Sequence, residues 1–334
     1  MHYLLLLLSA SGSSEPSPFA SPRPSGIPSS GGNFLHVARR WLLQMMPAVA
    51  LFSPARAESG HAHSGGQAVP PTPAELAADK WRYNLFNPTP REHMREMSTD
   101  RPDATESPIT VDAGHIQIEG SLFDYGGTRQ GGIEEEVFTY GAVNFKVGLL
   151  NNVDIQFVFD SYSEVRTKDR NLNFTETVAG IGDLQMRLKI NLWGNEGGNT
   201  ALAFFPFVKL PTGSDLSNGK VEGGLILPFS VGLNEKVGLG LMLELDAVYD
   251  DEDSNYRAEV FHTAVLGIDL TDTLGLFLEY AGTAGSADFE YIATGNLGFT
   301  YAVNDDLLLD AGVRVGLNDA AEDFGLFMGF SSRF

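Results

Sequence analysis

Cysteine is absent from the 334 residues, which excludes disulfides and thiolate chemistry. After residue 57 the chain has no apolar run near the roughly 18 residues that a membrane-spanning helix needs. Basic residues are scarce: 22 Lys and Arg face 43 Asp and Glu, giving a net charge of −21. This charge argues against a nucleic-acid partner, because phosphates require a basic surface. The sequence also lacks a Walker loop, a dinucleotide fingerprint and an HExxH motif, so it predicts no cofactor and no catalytic residue.

Alternation of apolar and polar side chains fills the region from residue 115 to residue 334. In Ile181–Leu192 the polar set runs from Asp183 to Asn191 in steps of two, and Leu307–Leu317 has the same pattern. Successive side chains of a strand point to opposite faces, so each segment has one apolar and one polar face. The pattern predicts an all-β, transmembrane, antiparallel up-and-down β-barrel of about 12 strands, with an apolar exterior and a polar lumen.

The predicted strands are separated by two classes of connection. The strands are 115–124, 137–149, 153–163, 178–192, 200–211, 222–233, 237–249, 258–270, 274–281, 289–302, 307–317 and 323–333. Tight turns rich in Asn, Asp and Gly fall at 151–152, 194–199, 234–236, 271–273 and 304–306. Longer, acidic or polar loops alternate with them at 125–136, 164–177, 211–221, 250–257 and 282–288. Because such barrels have short periplasmic turns and longer outer loops, both termini are expected in the periplasm of a Gram-negative bacterium.

The polar face supplies candidate residues for the lumen and a solute path. They are Glu119, Asp154, Asp160, Asp183, Arg187, Lys189, Glu244, Asp246, Glu279, Asp310 and Arg314. These charges either constrict a diffusion path and select solutes, or pair with one another and fill the barrel. Arg187 and Lys189 are predicted to face Asp154 and Gln156 on the preceding strand.

The amino-terminal part reads as a leader followed by an arm. Residues 1–57 are predicted to be a leader and signal peptide, because two arginines precede an apolar stretch and Ala55-Arg56-Ala57 offers a cleavage site. Residues 58–97 are predicted to be a disordered or partly helical periplasmic arm, and residues 98–334 the outer-membrane barrel. His61 and His63 are interpreted as solvated side chains, not as metal ligands.

Four segments resemble the outer-membrane family described as "Putative MetA-pathway of phenol degradation". They are STDRPDATESPITVDAGHIQIE from Ser98, GIGDLQMRLK from Gly180, FVKLPTG from Phe207 and VEGGLILPFSVGL from Val221. The resemblance covers about residue 80 to the carboxyl terminus. It implies a transporter-like β-barrel that passes small, often hydrophobic or aromatic compounds, with structural roles for the motif residues Asp100, Arg101, Pro102, Asp103, Gly180 and Gly182. Asp100, Arg101 and Asp103 are expected to join the arm to the periplasmic rim of the barrel.

The carboxyl end carries a predicted assembly signal. Phe334 shares one face with Phe330, Met328, Leu326 and Phe324, a pattern similar to the signal read by the barrel-assembly machinery, although Ser332 departs from it.

Three functions stay open at this stage: an outer-membrane channel for passive passage of small solutes, a structural or adhesion barrel without conduction, and a lipid hydrolase. The expected partners are outer-membrane lipid, lipopolysaccharide, the assembly machinery and a small-molecule solute. A hydrolase would use His262 on the lipid face, but Ala264 stands where its Ser nucleophile would be needed. The hypothesis preferred here is a channel that is not an enzyme.

Overall fold

A closed antiparallel barrel is the fold of this chain, seen in a computed structural model that describes residues 80–250, 254–286 and 290–334. Its strands are β1 Ile116–Gln130, β2 Ile133–Leu150, β3 Val153–Asp169, β4 Phe174–Gly180, β5 Leu184–Trp193, β6 Thr200–Leu210, β7 Glu222–Asn234, β8 Val237–Asp250, β9 Asn255–Asp269, β10 Leu274–Gly285, β11 Ile292–Asn304, β12 Leu307–Gly316 and β13 Phe324–Arg333. Apart from β4 and β5, neighbours along the chain pair with each other, and β1 pairs with β13 to close the sheet. The prediction of a transmembrane barrel of about 12 strands is therefore confirmed.

The strand that was predicted from 178 to 192 is interrupted, which accounts for the thirteenth element. β4 and β5 both pair with β3, β4 at the carboxyl-terminal half of that strand and β5 at the amino-terminal half. They occupy one position in the barrel wall, so closure takes 12 strand positions. The interruption falls at residues 181–183, beside two glycines that lower the propensity for regular strand.

The alternation of polar and apolar residues in the sequence corresponds to side chains that face the lumen and side chains that face outward. Exposed apolar side chains cover the outer wall, for example Leu241, Leu243, Leu245, Leu278, Leu297, Phe299 and Val313. Their sequence neighbours face inward and are mostly polar and buried, which leaves only small apolar clusters inside the barrel. Among the described residues, no helix is long and apolar enough to span a membrane. One short 3-10 turn, Arg91–His93, precedes the first strand.

All five predicted tight turns are confirmed, but two of the predicted long loops are wrong. Segments 125–136 and 164–177 are mostly strand: β1 and β2 continue to a turn at Gly131 and Gly132, and β3 and β4 to a turn at residues 170–173. Their charged residues pair across the strands, as Arg129 does with Glu134. A strand that leaves the apolar layer loses its apolar face but keeps its hydrogen-bond ladder.

Several predictions concern residues outside those that the structure describes. These are the leader at 1–57, the first part of the arm at 58–79 and the two histidines, His61 and His63. Residues 80–97 of the predicted arm are described, and they cross the end of the barrel where the short turns lie.

Candidate functional site: the lumen and the segment inside it

The lumen contains a stretch of the chain itself, residues 98–113, called the luminal segment here. Nearly all of its residues are buried, although it belongs to no strand. Its side chains and backbone contact inward-facing residues of β1, β2, β3, β5, β8, β9, β10 and β12. The barrel is therefore wide enough to hold an extra chain, and that chain is bound mainly by charged and polar groups.

Asp100 is the centre of an ion-pair cluster in the lumen. Its carboxylate pairs with Lys189 of β5 (2.7 Å) and with Lys146 of β2, and Lys146 also pairs with Glu119 of β1. The backbone N–H of Asp100 donates to Glu119 at 2.9 Å. All of these side chains are almost completely shielded from solvent. Two buried cations thus depend on one carboxylate of the luminal segment for their charge balance.

A second ion pair joins the luminal segment to β12. Arg101 donates from Nε and Nη2 to the two carboxylate oxygens of Asp310 on β12, at 3.1 and 2.7 Å. This two-point geometry fixes the guanidinium plane. Gly329 of β13 makes room for it, because a Cβ there would lie 2.4 Å from Arg101 Nη2.

Further contacts follow along the luminal segment. Glu279 of β10 accepts hydrogen bonds from the backbone N–H of Ala104 (2.8 Å) and the hydroxyl of Thr105 (2.6 Å). Thr105 also meets Thr263 of β9, with 2.6 Å between the hydroxyl oxygens. Glu106 pairs with Arg187 of β5. The segment is held from several sides of the lumen.

The sequence predicts that the Asp100 motif joins the arm to the periplasmic rim, but the motif binds the wall deeper in the lumen. Asp100 and Arg101 do bind the barrel wall, but their partners lie three or four residues inside the strand ends. Pro102 and Asp103 are buried with them.

All eleven predicted lumen residues are buried in the structure. The predicted pairing of strands is also observed: Lys189 stands opposite Asp154 and Arg187 opposite Gln156. The ion pairs of the two cations, however, go to Asp100 and Glu106 of the luminal segment. At the end away from the short turns Arg314 binds Asp124 (2.7 Å) and Glu322 (2.7 Å), which belongs to the loop before β13.

Sequence reasoning missed Lys146, Thr105 and Glu106. The signal for Lys146 was available, because it belongs to the inward set of β2 with Ala142 and Asn144. Nothing in the sequence alone showed that residues 98–113 lie inside the barrel.

The wall between β4 and β6 is closed by a loop instead of strand pairing. β4 pairs with β3 alone, and the pairing of β5 with β6 ends at Leu184 and Leu210. Loop residues 211–221 bind the interruption: Gly213 N–H donates to Asp183 (2.8 Å) and Ser214 accepts from Ile181 N–H (3.0 Å). From the same loop Leu216 inserts among Val137, Val165 and Val178 at the end of the lumen away from the short turns.

The two motif glycines have a visible structural role at this interruption. A Cβ at Gly180 would lie 2.0 Å from the hydroxyl of Ser214, and one at Gly182 would lie 3.0 Å from Cβ of Asp160. Both glycines therefore allow close approach, Gly180 of the loop and Gly182 of β3.

Residues 80–97 form a floor across the end of the barrel with the short turns. Glu196 of the β5–β6 turn pairs with Lys80 (2.9 Å) and Arg95 (2.7 Å), and Arg95 also pairs with Asp112 (3.3 Å). Two cavities, about 480 and about 760 Å³, flank residues 95–97. Open space therefore remains on both sides of residues 95–97.

The Glu196 contacts predict a pH dependence. Burial alone would raise the pKa of Glu196, but the charge of Arg95 and hydrogen bonds from Lys80 and Arg95 lower it below 4.5. A lowered pKa contributes stability above the ordinary value, and this contribution is lost as the pH falls through the folded value. At pH 7, E196Q should speed hydrogen exchange in residues 80–97 by up to about fivefold, since such pairs contribute about 1 kcal/mol.

The comparison is made at equal pH, so that intrinsic exchange rates cancel. The difference between E196Q and the unchanged protein should shrink as the pH falls from about 5 to about 3. E235Q, which removes the same charge in the neighbouring β7–β8 turn, serves as the control. Equal exchange in E196Q and E235Q at pH 7 would contradict the role of Glu196.

His262 lies on the outer wall, as the alternation predicts. Its Nε2 hydrogen-bonds the phenol of Tyr291 at 3.0 Å, and the ring also packs near Tyr280. The contact is typical of polar aromatic residues at a membrane boundary. Residue 264, where a hydrolase would need its nucleophile, is Ala.

Comparisons with known proteins agree with this architecture. The family model described as "Putative MetA-pathway of phenol degradation" matches residues 99–334. Similar solved structures include the COG4313 outer membrane channel from Pseudomonas putida F1, with 14% identity and a TM-score of 0.51 over 70% of this chain and 99% of that one. The NanC porin has 11% identity and a TM-score of 0.42, covering 63% and 98%. No curated protein matches the chain. The first likeness supports the fold.

Proposed function

Because the chain belongs to the "Putative MetA-pathway of phenol degradation" family, we propose that it is an outer-membrane channel for small solutes, closed at rest by its luminal segment. The observation that carries the proposal is the kind of contact that holds this segment. A barrel filled by its own strand side chains has no path to open, whereas a separate segment bound by ion pairs leaves one when it moves. The solved structure with a similar fold is that of a protein described as an outer membrane channel.

The proposed placement in the membrane is supported by the connections and by the apolar belt, the band of exposed apolar side chains on the outer wall. The short turns, the floor at residues 80–97 and the carboxyl terminus lie at one end, which we assign to the periplasm. The long hairpins of β1–β2 and β3–β4 then point outward. Phe334 keeps its proposed role in assembly, with its backbone N–H bonded to Ile116 at 2.8 Å.

The proposed solutes include hydrophobic or aromatic compounds. The interrupted wall supports this class, because a loop that closes a gap between strands can move without breaking a strand ladder. A solute leaving the outer layer of the membrane would pass beside Leu216 and the valines around it. Inside, Phe205 lies under the cations of Lys189 and Arg187, at 4.8 and 5.8 Å from the ring. Aromatic and cationic groups side by side suit an aromatic ring that carries an acidic substituent.

The first test displaces the loop at the gap. In G180V the new side chain would collide with Ser214, so loop 211–221 should move away and open the wall. With D100N in every protein to displace the luminal segment, proteoliposomes carrying G180V should take up a hydrophobic fluorescent probe several-fold faster than proteoliposomes with D100N alone. The matched control is G267V on β9, where a Cβ meets no atom within 4 Å.

Two outcomes would count against the proposal. If G180V and G267V take up the probe equally fast, the gap between β4 and β6 is not a route. If neither the unchanged protein nor any variant that displaces the luminal segment passes any small solute in liposome swelling, the channel itself is wrong. A barrel without conduction, with outer loops that bind partners, would then be the better description.

A further inference from the structure

Residues 81–87, called the hook here, present large apolar side chains to the surroundings of the barrel. Trp81 is 63% exposed and Phe86 is 93% exposed, and Leu85 between them is also exposed. Such exposure is unusual for three large apolar residues within seven. It indicates that something apolar covers the hook.

The hook is a turn that hydrogen bonds hold in place. The backbones of Asn84 and Asn87 exchange two hydrogen bonds of 3.0 Å, and the side chain of Asn84 accepts from Phe86 N–H at 3.0 Å. This geometry places Leu85 and Phe86 at the tip. Tyr83 points the other way and is buried. The apolar side chains are therefore held outward by a network of hydrogen bonds.

The hook is joined to the rim of the barrel and continues its apolar belt. Leu85 N–H donates to the carbonyl of Leu149 at 2.9 Å, and Asn84 forms a bridge with Leu150 at the end of β2. Leu150 is itself exposed, as are Leu192 and Trp193 at the end of β5. Lys80, just before the hook, pairs with Glu196 three residues after Trp193. Hook and rim together make one apolar surface on the β2–β3–β5 side.

Arg82 gives this surface a polar boundary. Its guanidinium lies 4.9 Å from the centre of the Tyr83 ring and donates to the Tyr83 hydroxyl at 2.8 Å. Aromatic side chains beside a cation are typical of groups that lie where acyl chains meet anionic headgroups.

We propose that the hook inserts into the phospholipid leaflet at the end of the barrel with the short turns. The proposal rests on the membrane placement given under the proposed function. Lipid is favoured over a protein partner because the hook is continuous with a belt that already faces acyl chains. The luminal segment is then held at both ends, by β1 on one side and by a lipid anchor on the other. Only the stretch between them is free to move when the channel opens.

Quenching of tryptophan fluorescence by brominated phospholipid tests the proposal. The sequence has three tryptophans, so a W41F/W81F/W193F background is free of them. In this background F86W should lose at least half of its fluorescence in liposomes of phospholipid brominated near the carboxyl end of its acyl chains. L172W in the same background should keep its fluorescence, because Leu172 is exposed on the β3–β4 turn outside the apolar belt.

A third protein separates failure of the hook from failure of the membrane placement. W41F/W81F keeps only Trp193, on the barrel wall. If Trp193 is quenched and F86W is quenched no more than L172W, the lipid anchor is wrong and the barrel placement stands. If Trp193 is not quenched either, the placement is wrong. An F86W indole shielded from aqueous acrylamide but untouched by bromolipid would indicate a protein contact and would overturn the proposal. Heat-dependent migration in electrophoresis shows that each variant forms the barrel.

Discussion

D100N should convert a closed barrel into a leaking one. The asparagine removes the charge that compensates Lys189 and half of the charge that compensates Lys146, both of which are buried. Breaking one side of a buried ion pair costs about 3–5 kcal/mol. At the lower value the displaced form of the luminal segment becomes roughly a hundredfold more populated. Conductance in planar bilayers, or the swelling rate of proteoliposomes, measures the result.

Two further variants show whether charge compensation is the cause. E134Q removes an equal charge from an exposed pair with Arg129 and Arg170 and should leave conductance unchanged. D100N/K189Q removes the uncompensated cation while Lys146 keeps Glu119, so it should recover most of the closed state. A double variant as permeable as D100N would contradict the role given to this pair.

A disulfide between the luminal segment and the wall should abolish the passage that D100N opens. The hydroxyl oxygens of Thr105 and Thr263 lie 2.6 Å apart, so T105C/T263C places two thiols within bonding reach. The chain has no other cysteine to interfere. In a D100N background the oxidised protein should conduct at the level of the unchanged protein, and dithiothreitol should restore the leak.

A disulfide within the wall is the control for this experiment. Thr139 of β2 and Ser163 of β3 have hydroxyl oxygens 2.9 Å apart, and neither belongs to the luminal segment. T139C/S163C in the D100N background should conduct whether oxidised or reduced. Conduction through the oxidised T105C/T263C protein would mean that solutes pass without movement of residues 98–113 near Thr105.

The alternating pattern was sufficient to predict the barrel wall, because the polar and apolar residues of each strand show which side chains face the lumen. Asp183, Arg187, Lys189, Asp310 and Arg314 are buried in the structure, as this alternation predicts for inward positions. The ends of the strands were less accessible, because hairpins that leave the membrane lose the apolar half of the pattern. Glu134 and Arg129 read as loop residues although they lie on strands.

The luminal segment could not be predicted from local sequence. The sequence motif marks Asp100 and Arg101 as residues that bind the barrel, but their partners lie 89 and 209 residues further along the chain. Their burial depends on three-dimensional closure, which leaves no periodic signal. The roles of Gly148 and Gly329 could not be predicted either. Each makes room for the luminal segment, but in the sequence each is one of many glycines in strands.

The long span between Arg101 and Asp310 also bears on how the molecule is assembled. The luminal segment precedes every strand in the chain, yet its partner on β12 is one of the last parts to be synthesised. Closing a connection of 209 residues carries an entropic cost that grows slowly with length, so the contact itself is affordable but comes late. Lys146 and Lys189 precede Asp310 in the chain, so the ion pairs of Asp100 can form before the one between Arg101 and Asp310, which joins the start of the barrel sequence to one of its last strands.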